Sequence, residues 1–136
     1  MHPLFKFSLF YLVLDIGYIL KKVLVLIIIL IIILLVSVLR IVKAKNLEYY
    51  RKQEKLMRLA TINYFKDYPS YLPLKNGESK KVIVSSLVKE GYIEKITDIN
   101  NNECDSMKSY VKVVKNSKDT YTYSSYLVCP NYKVKK

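Results

Sequence analysis

The run from Val23 to Val42, VLVLIIILIIILLVSVLRIV, decides what this chain can fold into. From Val23 to Leu39, Ser37 is the one residue that is not a large aliphatic. A helix rises about 1.5 Å per residue, so such a run covers roughly 30 Å, the thickness of a bilayer's hydrocarbon core. It is apolar on every side and not along one stripe, so its surroundings must be apolar all round. In a chain of 136 residues the remainder cannot wrap it in a soluble core. The reading is a single membrane-spanning helix over 23–42, with Val23, Ile28, Ile33 and Leu39 marking the anchor and the lipid bilayer as its first partner.

What precedes the run is less uniform. Leu4 to Leu20 is mostly apolar but carries Lys6, Ser8, Asp15 and Gly17. An ionised Asp inside a span costs a few kcal/mol. Only Lys21 and Lys22 separate this stretch from the main run, too few residues for two antiparallel spans to turn. Residues 1–22 are therefore expected to be an interfacial or poorly ordered leader, and a chain opening at Lys21 would look like an ordinary anchor. The apolar core is longer than a secretory signal's, and Ile41-Val42-Lys43-Ala44-Lys45 offers no small-x-small cleavage site. The segment reads as an uncleaved signal-anchor.

Past the run the helix is expected to continue as a stalk over 43–67. Tyr49, Gln53, Leu56, Ala60, Asn63 and Tyr64 recur at three-to-four spacing, and Asp67-Tyr68-Pro69 supplies the stop. Residues 68–136 then form a small α+β head. Lys81 to Val84 reads as a strand, Ser85 or Ser86 as the cap of a short helix through Glu90, and Gly91 as its left-handed exit. Asp98 to Asp105 is a polar loop. Ser109 to Lys115 and Thr120 to Cys129 read as two antiparallel strands rich in Tyr, Val and Thr. The fold class is α+β: a long N-terminal helix carrying a small antiparallel sheet.

The two cysteines, Cys104 and Cys129, fit that hairpin. Setting them opposite each other places the turn between Asn116 and Ser117, inside the turn-forming Asn116-Ser117-Lys118-Asp119. Tyr110 then faces Tyr123, and Lys112 faces Tyr121. A bridge would close a loop of about 26 residues and contribute roughly 3.5 kcal/mol, a large share for so small a domain. Such a bond persists in an oxidising compartment, which puts the head outside the cytoplasm. On the residues alone the other possibility is two free thiols.

Several stretches in order carry a resemblance: Tyr68-Pro69-Ser70-Tyr71-Leu72-Pro73, Leu87-Val88-Lys89-Glu90-Gly91-Tyr92, Cys104, Ser109-Tyr110-Val111, and Leu127-Val128-Cys129-Pro130-Asn131-Tyr132. Together they resemble the type IV pilin-like, or pseudopilin-like, membrane proteins of Gram-positive bacteria, over residues 23–133. The resemblance implies a long helix half in the membrane and an extracytoplasmic sheet. It also implies pilus- or secretion-type proteins as partners. Polymerising pilins have a cleaved glycine followed five residues later by a glutamate. Here Gly17 is followed at that distance by Lys22, and Val23 to Leu39 holds no acid. A fixed anchor displaying a pilin-like head is the expectation, with a structural or interaction role at the cell surface.

No catalytic constellation is evident, and the chain is read as a non-enzyme without cofactor or small-molecule substrate. The one histidine is His2, so neither cysteine nor any serine of the head has a histidine partner, and a zinc site lacks ligands. The net charge is +12, with six Lys/Arg against one acid before residue 46 and seventeen against ten after it. The excess on the head suggests attraction to anionic cell-wall polymers or lipid headgroups; the tyrosines read first as core and cross-strand pairs, with Lys112 and an exposed row of Tyr121 and Tyr123 as candidate surface or partner contacts. The alternative is a membrane-tethered, winged-helix-like nucleic-acid-binding regulator, because basic residues are denser after the run than before it, which favours a cytoplasmic C-terminal domain.

Overall fold

A computed structural model describes residues 3–134, with side-chain environments from Asp15 onward. The chain divides into two compact units, residues 1–44 and 45–136. One helix, α1 (Pro3–Asp67), begins in the first and ends in the second.

In the first unit α1 is unbroken, so residues 3–22 are helical and continue into the aliphatic run without a join at Lys21-Lys22. Of the interfacial or poorly ordered leader expected from the sequence, residues 3–22 have a helical backbone, with Gly17 accommodated inside the helix. Val23, Ile28, Ile33 and Leu39 are exposed at 46, 47, 56 and 67 %, on all sides of the helix. Ser37, the lone hydroxyl in the run, donates to the Ile33 carbonyl at 2.8 Å, so its hydroxyl is satisfied within the helix. The helix is long and apolar enough to cross a membrane.

In the second unit α1 changes character. Tyr50, Met57, Ala60, Thr61 and Phe65 are buried along one side, while Arg51, Lys52 and Lys55 are exposed. The helix stops where expected. Tyr68 donates to the Tyr64 carbonyl, and Pro69, which has no N–H, opens a 3-10 turn over Pro69–Tyr71.

The head follows as β1 (Ser79–Ile83), α2 (Val84–Lys89), β2 (Tyr110–Ser117), β3 (Thr120–Tyr126), β4 (Val128–Cys129) and β5 (Tyr132–Lys133). The three longer strands form an antiparallel sheet in the order β1-β2-β3, and β4 and β5 form a separate pair. Val82, Val111 and Val113 from the sheet join Met57, Ala60 and Phe65 of α1 in one core. Val84, Leu87, Ile96 and Leu127 belong to it as well, with Tyr50, Cys104 and Cys129. The fold class read from the sequence is the one observed.

α2 differs at its start. No serine caps it: Ile83 holds the cap position without a side-chain bond. The orphan N–H groups of Val84 and Ser85 instead donate to the carbonyls of Ser109 and Ser106. Its end is as expected, with Gly91 at φ 79°. Gly91 donates to Val88 and Tyr92 to Leu87, the paired bonds of a Schellman exit.

The hairpin register is also corrected. Tyr110 pairs with Tyr126, Lys112 with Ser124 and Lys115 with Tyr121. The turn is Lys118-Asp119, with Asp119 at φ 60° and Asn116 bulged out of the ladder. Partner numbers add to 236 through most of the hairpin but to 233 at Cys104 and Cys129, which are nonetheless bonded. The difference is three residues, Ser106–Lys108, looped out as a turn closed by Ser109 N–H to the Asp105 carbonyl at 2.9 Å. Beyond this turn Asp105 donates to Val128, setting the cysteines side by side. The strands therefore have one register and the disulfide another.

Opening that bridge tests its part in the head. In the full chain in detergent micelles, Cys104→Ser with Cys129→Ser should lower the unfolding free energy by about 3.5 kcal/mol. Denaturant titration followed by tyrosine fluorescence reads the change; a loss under about 1 kcal/mol would mean the bond removes little entropy from the unfolded chain.

Candidate functional site

Strand alternation sorts the head's aromatic and basic side chains. Val111 and Val113 are fully buried, so Tyr110, Lys112 and Val114 point to the opposite, outer face of β2. On β3 the buried Ser125 fixes Tyr121 and Tyr123 on the inner face and Thr122, Ser124 and Tyr126 on the outer. On β1 the buried Val82 leaves Lys81 and Ile83 outside.

This corrects the row of candidate contacts. Tyr121 and Tyr123 are half-buried against the core and do not share a face with Lys112. Burial, with Tyr121 nearby, pushes the Tyr123 hydroxyl pKa up. Beside them Arg58 of α1 donates to Ser125 Oγ at 2.8 Å, tying the inner edge of β3 to the helix. Of the three residues, Lys112 alone lies on the outer face.

The outer face carries side chains that the sequence reading had not singled out. The rings of Tyr110 and Tyr126 stack with centroids 4.8 Å apart and planes 23° from parallel. The Lys81 ammonium stands 4.7 Å from the Tyr110 centroid. Lys81 is also directly opposite Lys112 in the ladder. Next to the ring pair is a groove of about 650 Å³, bordered by Lys108, Lys133, Leu127 and Val134. Alternation around Val111 and Val113 could have shown this face; the three-residue offset hid which tyrosine meets Tyr110.

Two further tyrosine groups are built into the packing. Tyr64 lies edge-on to Tyr92 at 5.5 Å, with Tyr68 at 5.1 Å and Tyr71 at 6.3 Å. Tyr92 donates to the Asp67 carboxylate, and this bond pushes its pKa up to about 12. Nearer the start of the unit, Tyr50 and Tyr132 stack at 4.1 Å. Burial and the hydrogen bond Tyr132 donates to Glu54 push the Tyr132 pKa up to about 12. Tyr50 keeps a buried hydroxyl without a hydrogen-bond partner among the described residues.

Asp98 is the one buried carboxylate among the described residues. It is structural in its contacts: the backbone N–H groups of Asn100 and Asn102 donate to Oδ1 and the Asn102 amide donates to Oδ2. This closes the loop around Asn101, which is left-handed at φ 62°. Desolvation works to raise the Asp98 pKa, and these three bonds outweigh it, so the net shift is downward. Among the described residues no three His, Cys, Asp or Glu side chains gather as a metal ion requires.

Comparison of the chain with protein-family models, with curated proteins and with solved structures returned no match.

The Asp98 shift has a sign that can be checked. The folded pKa lies below the ordinary 3.8, so the carboxylate stabilises the head above that pH and the benefit disappears as pH falls through the folded value. The unfolding midpoint of the wild type should drop between about pH 5 and pH 2. Asp98→Asn should show a lower midpoint at neutral pH and a smaller acid drop, the remainder coming from Asp105 and Glu78, whose pKa values are also lowered. Parallel pH curves for the two proteins would rule Asp98 out.

Proposed function

We propose that this protein is a single-pass, membrane-anchored, pilin-like protein that displays an extracytoplasmic head, with a structural or interaction role at the cell surface and no catalysis. The observation that carries the reading is the pairing of two features in one helix. Its first part is apolar on all sides over a span's length, and its last part forms one wall of a small, disulfide-closed sheet domain. A disulfide is kept in an oxidising compartment, which argues for a head outside the cytoplasm. The order of elements, a long helix and then an antiparallel sheet, fits the pilin-like layout. Lys22 at the position of the assembly glutamate argues for a fixed anchor over a filament subunit.

One observation favours a second reading. Positive residues are denser after the apolar run, at Arg40, Lys43, Lys45, Arg51, Lys52 and Lys55, which by the positive-inside rule favours a cytoplasmic head. That orientation goes with a tethered nucleic-acid binder. Its recognition element would have to be α2, which is only six residues long, short for reading a groove.

Labelling of intact cells with a membrane-impermeant thiol reagent separates the two. For an external, bridged head, Cys104 and Cys129 label only after mild reduction. Labelling that requires broken cells would overturn the proposal and favour the cytoplasmic binder.

A further inference from the structure

We propose that the outer face of the β1-β2-β3 sheet is a docking surface for a linear polyol-phosphate polymer of the cell wall, held by Lys81 and Lys112 beside the stacked Tyr110 and Tyr126. The wall as the source of this ligand rests on the external head proposed above. The affinity of the face for a phosphodiester chain does not.

The first ground is an uncompensated charge pair. Lys81 and Lys112 are direct cross-strand partners, and like charges so placed destabilise a sheet. Neither has a carboxylate within ion-pair distance among the described residues, where the ion pairs are Lys95–Glu103 and Lys108–Asp105. The outward positions of all three strands contain no acid. An anion lying between the two ammonium groups would turn this repulsion into two attractions.

The second ground is shape. The charge continues past the strand ends, where Lys133, and Lys108 in its pair with Asp105, border the groove beside the tyrosine pair. Lys81 and Lys112 on the ladder and Lys133 on the neighbouring groove fit a ligand that carries several charges along its length. Each lysine is a compact point charge suited to a phosphate.

The third ground distinguishes the polymer from a nucleic acid. Binding of single strands relies on bases stacking on free aromatic faces. Here Tyr126 and the Lys81 ammonium already occupy the Tyr110 ring. What the pair offers is a flat wall and two hydroxyls, suited to a polyol backbone.

The test uses the purified full chain in neutral detergent micelles, with poly(glycerol phosphate) as the probe and its affinity measured at several salt concentrations. Lys81→Gln with Lys112→Gln should weaken binding about tenfold at low salt and flatten the salt dependence. Lys52→Gln with Lys55→Gln, which removes the same charge from exposed positions on α1, should change affinity by less than about twofold. The sheet variant should melt no lower than wild type, because it relieves a repulsion. Equal losses in the two variants would reduce the effect to net charge and overturn the proposal. So would an absence of wild-type binding, or tighter binding of an oligothymidylate with the same number of phosphates. Because binding is read on purified protein, its failure leaves the cell-labelling result untouched, and the reverse also holds.

Discussion

The head depends on one side of α1. A three-stranded sheet has two faces, and a single short helix such as α2 cannot cover either. Met57, Ala60, Thr61 and Phe65 give Val82, Val111, Val113 and Leu127 something to pack against. Polar ties fix the same contact: Arg58 to Ser125, Tyr132 to Glu54, and Tyr49 to the Thr97 carbonyl. Without that helical wall the inner valines would face water, and a domain of this size has little else to bury. The same helix therefore meets two kinds of surroundings. Its aliphatic half is apolar on every side, and its later half is apolar on one.

The second constraint is the offset between strand register and disulfide register. Asp105 holds it in place. Its carboxylate accepts the backbone N–H groups of Met107 and Lys108, and the Lys108 ammonium lies 3.1 Å away. These contacts hold the Asp105 pKa low, the pair with Lys108 contributing most. The small turn they stabilise lets Tyr110 meet Tyr126 while Cys104 meets Cys129. It also places the Ser109 hydroxyl where Val128 N–H can donate to it, carrying the chain from β3 into β4.

The order of elements was legible because it rests on strong local signals. These are an unbroken aliphatic run, a proline stop after Asp67, a glycine exit at Gly91 and β-rich stretches around Val111 and Tyr123. Pairing of the cysteines was legible as well. What could not be read was the register between them, because a single running count assumes that no residue loops out. Three do, and an odd offset exchanges the faces of one strand relative to the other. That one error put Tyr121 and Tyr123 on the same face as Lys112 and concealed the stack of Tyr110 on Tyr126. The start of α2 was missed for a related reason. Its first N–H groups are satisfied by carbonyls of residues 106 and 109, over twenty positions away, and no local motif announces them.

The position of the sulfur bridge also fixes how the head would carry load. The β2–β3 hairpin lies wholly within the loop that Cys104 and Cys129 close. A pull between α1 and the last residues of the chain passes from Cys104 to Cys129 through a covalent link and bypasses the hairpin. Tension would act on the contacts outside that loop, those of β1, of the turn at Asp98 and of β5. The paired strands between the two sulfurs would stay slack, a sheltered segment in a tether under strain.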